Sequence, residues 1–244
     1  LHPRVRRQRQ MCIRDRWYTR FNQLNESEDI KMDILETMKA RHSVRQYKNQ
    51  AIESSKREKI NALIKDVNAE SKLSIQVFYD EPKCFDSFMA HYGKFENVKN
   101  YIAIVGNKND QEKAGYYGEK IVLKCQKLGL NTCWVAMTHG KSKAQIKRGQ
   151  KLLIIISLGY GETQGVPHKS KSIAELGQAD QKNEWFEKGM EAVSLAPTAV
   201  NQQKFYFELK NGIVTAKNLG GFYSRIDLGI VKYHFEAVTG HEVK

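Results

Sequence analysis

The chain has 244 residues, and 41% of them are hydrophobic, which is typical of a folded protein and excludes an intrinsically disordered chain. Its formal net charge of +13 suggests nucleic-acid binding, but the first 20 residues hold seven arginines and one aspartate, which is nearly half of that charge. No apolar run approaches the roughly 20 residues of a membrane-spanning helix. We therefore expect neither nucleic acid nor a membrane as a partner.

Residues 1–31 form a basic tail without apolar periodicity. The stretch Arg6–Arg16 resembles translated adapter sequence at the ends of gene models, so we expect a spurious or disordered extension with Met32 as the natural start. The alternative is a basic arm that binds nucleic acid or directs targeting. We expect one domain over residues 32–244, because no linker divides them. The four cysteines show neither a C-x-x-C motif nor a disulfide framework, which predicts reduced thiols and a cytoplasmic protein.

The first half of this domain predicts helices that alternate with strands. A short helix ends near Arg41, and Ser55 and Glu58 have the spacing of a capping box before a second helix. Apolar patterns predict strands at 73–79, 101–105, 132–137 and 152–158, the last of them buried on both faces as a central strand. A helix is predicted between the second and third of these strands, at about 115–128, and Gly129 is expected to stop it.

The second half starts with a polar stretch, residues 164–183, that predicts a surface loop. A helix through residues 186–193 and a β-hairpin over 205–216, which turns at Asn211-Gly212, follow. The final helix, from about Asp227, carries an apolar stripe that could bury against a second copy of the chain or pack on its own sheet. The sequence shows no internal repeat, and the mixture of elements predicts an α+β or α/β fold.

The segment Arg41-His42-Ser43-Val44-Arg45 is the first candidate binding site. In an extended chain, residues 41, 43 and 45 would lie on one face at intervals of about 7 Å. Two guanidinium groups and a hydroxyl could then line one elongated anionic ligand, and the planar fork of arginine suits a phosphate. The alternative is a solvated basic helix end.

The second candidate is the segment 196–203, Ala-Pro-Thr-Ala-Val-Asn-Gln-Gln. Pro197 ends a helix, and Thr198 offers a hydroxyl group. The amides of Asn201, Gln202 and Gln203 can donate and accept hydrogen bonds at once, which matches the pyrimidine edge of a heterocycle. The alternative is an ordinary polar loop with a helix cap.

Together with Leu-Gly-Leu-Asn-Thr-Cys-Trp-Val at 128–135, these motifs resemble the nitroreductase family of flavin-dependent oxidoreductases. The resemblance extends over residues 41–47, 117–135, 196–203 and 226–235. It implies an α+β sandwich in which helices flank a central, mostly antiparallel sheet. It also implies a homodimer with one FMN at each site, built from the arginine motif of one chain and the second motif of the other.

The resemblance also assigns residues to the cofactor. The arginine motif, which is Arg41, Ser43 and Arg45, would hold the FMN phosphate and ribityl chain. The flavin would be approached from the other side by Thr198, Asn201 and Gln202, and the backbone of Trp134, Val135 and Ala136 would run beside its ring. We expect no catalytic side chain, because the flavin carries the chemistry, and no metal, because the histidines lack metal-ligand spacing.

The expected function is an FMN-dependent oxidoreductase that uses NADH or NADPH to reduce nitro compounds, quinones or similar small-molecule acceptors. Three features depart from the family pattern. The second motif lies far downstream of the first, Lys204 stands where a proline often follows the glutamine, and Ala136 stands where some members carry a glutamate. The alternative hypothesis is therefore an FMN-binding or flavin-handling protein without nicotinamide-dependent turnover.

Overall fold

The computed structural model describes residues 33–244, so the predictions for the basic tail lie outside the described residues. The described residues form seven α-helices and seven β-strands. In chain order these are α1 (Ile34–Ala40), α2 (Ser54–Ser71), β1 (Ser74–Phe78), α3 (Phe88–Tyr92), β2 (Asn100–Gly106), α4 (Gln111–Lys127), β3 (Asn131–Val135), β4 (Lys151–Gly159), α5 (Ile173–Leu176), β5 (Gly177–Ala179), α6 (Glu184–Ser194), β6 (Phe205–Lys210), β7 (Ile213–Asn218) and α7 (Ser224–Thr239).

Four strands form an antiparallel sheet in the order β1-β2-β4-β3, which confirms the predicted antiparallel α+β fold. Strand β4 lies between β2 and β3, and both faces of its apolar run are covered, as predicted for a central strand. On one face Ile102 and Ile104 pack in the same core as helices α2 and α4. On the other, Tyr101 packs with Phe85 and Phe95.

A second sheet, in the order β5-β6-β7, contains the predicted hairpin of β6 and β7. The prediction of a plain loop over residues 164–183 is wrong in part, because α5 and β5 lie within it and β5 pairs in parallel with β6. A three-residue strand is too short to show an alternating pattern. Helix α7 covers this sheet, and the rings of Phe207 and Phe235 stack with centroids 5.3 Å apart.

Several predicted helix and strand ends are shifted in the structure. The predicted capping box is wrong: α2 begins at Ser54, and its N-cap, Glu53, accepts no side-chain capping bond. Helix α4 begins four residues before the predicted start and ends as predicted, with Gly129 at a φ of 73°. No helix within residues 33–244 has the length and apolar character to cross a bilayer.

Helices α4 and α7 cross at a close, reciprocal contact that the sequence alone did not reveal. A Cβ on Gly115 would lie 1.9 Å from the carbonyl oxygen of Ile226, and one on Gly229 would lie 1.9 Å from that of Glu112. The Cβ position of each glycine thus faces the backbone carbonyl of the residue three positions before the other glycine, as in a local two-fold contact. A helix, an antiparallel strand pair and a second helix also recur in that order, as α2, β1, β2 and α4, with the short α3 between the two strands, and as α6, β6, β7 and α7.

The apolar stripe of α7 is buried inside the chain. Ile230, Val231 and Phe235 are each at most 2% exposed, and they belong to the same core as α4 and β6. Packing on the chain's own elements, which was the alternative for this stripe, is therefore what the structure shows. The stripe is not an open surface for a second copy.

Candidate functional site

The arginine motif lies against the edge strand β3. Val44 donates its backbone N–H to the Thr132 carbonyl at 3.1 Å, and Ser43 forms a bridge with the same residue. The buried Tyr47 hydroxyl donates to the Val44 carbonyl at 2.7 Å and also bonds the Ser157 hydroxyl. These contacts hold the segment extended.

The three side chains of this motif do not share one exposed face. Arg41 is 3% exposed and turns inward, whereas Ser43 and Arg45 are exposed. Strict alternation fails because Arg41 is still the C-cap of α1, with its backbone bonded to Thr37. All three nevertheless influence the buried thiol of Cys133: burial raises its pKa, while the charge of Arg45, a hydrogen bond with Ser43 and the charge of Arg41 oppose the shift.

A buried polar cluster lies directly behind the motif. Glu119 of α4 is fully buried and accepts from the Trp134 indole N–H at 3.0 Å. Its other oxygen lies 3.0 Å from Nε2 of His234 and 3.7 Å from Nε of Arg41. Burial alone would raise the pKa of Glu119, but the His234 hydrogen bond and the Arg41 charge leave it below its usual value.

The second motif forms a strained loop held by Asp227. Ala199 donates its backbone N–H to this carboxylate at 3.0 Å, and the Gln202 amide donates to it at 2.8 Å. The φ angles of Val200, Asn201 and Gln203 are 46°, 54° and 46°. A left-handed backbone is a genuine outlier for a β-branched residue, and such strain clusters at functional sites.

The loop of residues 163–171 connects the two motifs within one chain. At its start, a Cβ on Gly165 would lie 2.8 Å from Cβ of His42. At its end, the Lys169 carbonyl accepts from the amides of Asn201 and Gln203, each at 2.9 Å. Four residues span at most about 14 Å, so the motifs lie within reach of one extended ligand.

Strand β3 completes the site along its free edge. Trp134 points toward α4, Val135 is buried on the opposite face, and the Ala136 carbonyl accepts a 3.5 Å bond from the Tyr223 hydroxyl. Within residues 33–244, β3 pairs with β4 on one side and meets only the Ser43 bridge on the other. Because backbone groups alternate along a strand and the Thr132 carbonyl faces Val44, the N–H and C=O of Trp134 face this open edge, whereas those of Val135 face β4.

Three residues that hold this site were missed at the sequence level: Glu119, Asp227 and His234. Each carries a polar group on an otherwise buried helix face. One signal for such residues was available in the sequence: a charged residue among neighbours expected to be buried, such as Glu119 directly after Gly118. The sequence predicts His234 as a surface or satisfied packing histidine without naming its partners, and in the structure it is buried with a partner at each ring nitrogen.

We expect Asp227 to make the stability of the protein depend on pH. Burial raises the pKa of this carboxyl from 3.8 to about 6, so folding favours the protonated form. The stability that protonated Asp227 contributes is fully present below the unfolded-state pKa and is lost as the pH rises through the folded-state pKa. The stability of Asp227→Asn relative to wild type should therefore rise by about 2 kcal/mol between pH 4.5 and 7. Urea unfolding at both pH values measures it, and a pH-independent difference would contradict the assignment.

Relief of strain at Val200 should stabilise the fold. Val200→Gly is expected to raise the free energy of unfolding by about 1 kcal/mol, because the lost left-handed strain exceeds the entropy that glycine adds to the unfolded chain. The matched control is Val166→Gly, since Val166 is also highly exposed but has no positive φ. Urea unfolding should show the control losing stability, and equal effects at both positions would contradict strain at Val200.

Other features of the described chain do not point to a competing centre. Within residues 33–244 no group of three histidine, cysteine or acidic residues could hold a metal ion. A pocket of about 390 Å³ opens beside the start of α7, lined in part by Lys151, Tyr223 and Arg225, and it contains none of the predicted site residues. The two motifs and the edge of β3 therefore remain the candidate site.

Comparison with known proteins identifies a family and a shared fold. The family model described as "Putative TM nitroreductase" matches residues 33–239, and no curated protein matches the chain. A crystal structure of a "putative nitroreductase" from Thermotoga maritima MSB8 is 23% identical, covers 88% of this chain and 87% of its own, and has a TM-score of 0.64. A "putative nitroreductase in complex with FMN" from Desulfovibrio desulfuricans is 16% identical, covers 59% and 95%, and has a TM-score of 0.47.

The Thermotoga protein, at this level of identity, shares the fold, which is the mixed α+β arrangement expected from the sequence. The family match covers both motifs, the edge strand β3 and all of α7. The chain therefore belongs to the nitroreductase family described as "Putative TM nitroreductase".

Proposed function

We propose that the protein is an FMN-dependent oxidoreductase that takes electrons from NADH or NADPH and passes them to a nitro compound, quinone or similar acceptor. Membership of a nitroreductase family supports the reaction class. The observation that carries the proposal is the arrangement of both predicted cofactor motifs around the 163–171 loop, beside the open edge of β3. Bound FMN would supply hydride acceptance and electron transfer.

The residues fit the phosphate end of such a cofactor. Ser43 and Arg45 are exposed on a segment whose backbone is fixed to β3. Arg41 adds a buried positive charge behind them, and its Nε has no hydrogen-bond partner. Lys171 of the 163–171 loop donates to the Gln203 carbonyl at 3.1 Å, at the second motif, so the positive charge where a phosphate would bind comes from the arginine motif.

The ring end would use backbone and amide groups. The open edge of β3 offers the backbone N–H and C=O of Trp134, which a flat heterocycle can bond, and the run of Val135 and Ala136 beside the ring stays a prediction. Within the chain the side chains of Thr198, Asn201 and Gln202 shape the strained loop: Thr198 accepts from Gln203 N–H, and the other two donate to carbonyl oxygens. Their contact with the flavin stays a prediction.

We propose further that one chain supplies both motifs of its own site. The 163–171 loop joins them without a partner, and the apolar stripe expected to bury against a second copy is already covered. The homodimer itself stays a prediction. In a mixture of inactive Arg45→Ala and Asn201→Ala chains, we expect no recovered activity, whereas recovery would show that the sites are shared between subunits.

Turnover separates this function from flavin handling. Purified protein with bound FMN should oxidise NADH or NADPH steadily in the presence of a nitroaromatic or quinone acceptor. Tight FMN binding with negligible nicotinamide oxidation across an acceptor panel would instead favour the flavin-handling alternative, which the residues Lys204 and Ala136 suggest.

The buried thiols of Cys84, Cys125 and Cys133 are free, which supports a proposed cytoplasmic location.

A further inference from the structure

Glu119 connects three parts of the fold through one buried carboxylate. Its partners are Arg41 at the end of α1, Trp134 on β3 and His234 on α7. His234 is also fully buried, and its Nδ1 lies 2.8 Å from the Ala192 carbonyl oxygen. Both ring nitrogens of His234 therefore have a hydrogen-bond partner.

Arg41 depends on this carboxylate more than His234 does. It is 3% exposed, its Nε has no hydrogen-bond partner, and Glu119 is the acidic group paired with it. A buried cation that loses its partner is strongly destabilised, so the segment that carries it must move toward water. Ser43 and Arg45 lie two and four residues further along that segment, so they would move with Arg41.

We propose that Glu119 is a positioning residue that holds both edges of the cofactor site from behind: the arginine motif through Arg41 and strand β3 through Trp134. This inference rests on the proposed FMN function. It assigns Glu119 no contact with the cofactor, because the side chain is fully buried. Its effect reaches the site through Arg41 and Trp134 alone.

A double-mutant cycle tests the proposal. Glu119→Gln keeps an acceptor for the Trp134 indole but removes the charge opposite Arg41, so FMN affinity should fall at least tenfold. In an Arg41→Met background there is no buried cation to pair, and adding Glu119→Gln should change FMN affinity less than twofold. An equal loss in both backgrounds would show a general structural role and overturn the proposal.

A second readout does not need the flavin. Val44 donates its N–H to Thr132, so its hydrogen exchange reports whether the motif stays on β3. Exchange at Val44 should speed up at least tenfold in Glu119→Gln and return toward wild type in the double variant. An unchanged rate in Glu119→Gln would overturn the inference, whereas wild-type protein that binds no FMN would overturn only the proposed function.

The cycle also covers a variant that fails to fold. If Glu119→Gln is unfolded, circular dichroism of the Arg41→Met/Glu119→Gln protein decides. A folded double variant shows that the carboxylate is needed to pair Arg41, as proposed. An unfolded double variant beside a folded Arg41→Met protein would contradict the proposal.

Discussion

Replacement of Arg45 with alanine is expected to weaken FMN binding ten- to a hundredfold and to leave riboflavin binding nearly unchanged. The exposed Arg45 guanidinium would donate a charge-assisted bond to the phosphate, worth roughly 1.5 to 3 kcal/mol. At about 1.4 kcal/mol per decade this gives the stated range, and riboflavin lacks the phosphate. Parallel titrations of the two flavins, followed by fluorescence quenching, measure the effect.

The fold should tolerate this change, because the backbone bond from Glu96 N–H to the Arg45 carbonyl does not need the side chain. Arg148→Ala is the matched control, since Arg148 is exposed and lies outside the candidate site. It should leave both flavin affinities at the wild-type value. Equal losses for FMN and riboflavin in Arg45→Ala would place Arg45 away from the phosphate.

Substitution of either glycine at the crossing of α4 and α7 should be the most damaging change to stability. A Cβ at Gly115 or Gly229 would lie 1.9 Å from a backbone carbonyl oxygen, and a backbone cannot swing aside as a side chain can. Overpacking of this kind costs about 3 kcal/mol, so Gly115→Ala and Gly229→Ala should each lower the free energy of unfolding by about that amount. Urea unfolding followed by circular dichroism measures it.

Gly240→Ala provides the control for these two variants. Gly240 is left-handed at a φ of 71°, and nothing lies within 4 Å of a Cβ built there. It should therefore cost only about 1 kcal/mol, through the backbone conformation alone. Losses of similar size at all three glycines would mean that the helices separate easily and that the crossing is not tightly packed.

Local patterns were enough to predict most of the secondary structure. The buried run of β4, the hairpin at Asn211-Gly212 and the stop at Gly129 each depend on neighbouring residues, and the structure confirms all three. The predicted capping box was wrong because the helix begins at Ser54. Glu53, and not Ser55, therefore occupies the N-cap position, and the polar neighbours of Ser55 gave no sign of this shift. Strand β5 was missed because pairing with β6, and not its own sequence, makes it a strand.

The site was predicted by residue type but not by arrangement. The two motifs were identified, yet the inward-facing Arg41 pairs with Glu119, which is 78 positions away in sequence. The 163–171 loop that joins the motifs has no pattern of its own, so its role is visible only through the amides that bond the Lys169 carbonyl. Long-range pairings of this kind leave no local signal.

A visible absorption spectrum of the purified protein, titrated with FMN, tests the central claim most directly. We expect a yellow protein that binds one FMN per chain and whose flavin absorbance is bleached anaerobically by NADH or NADPH. Paired titrations with the two nicotinamides would also give the donor preference. A colourless protein that takes up no added FMN would contradict the account.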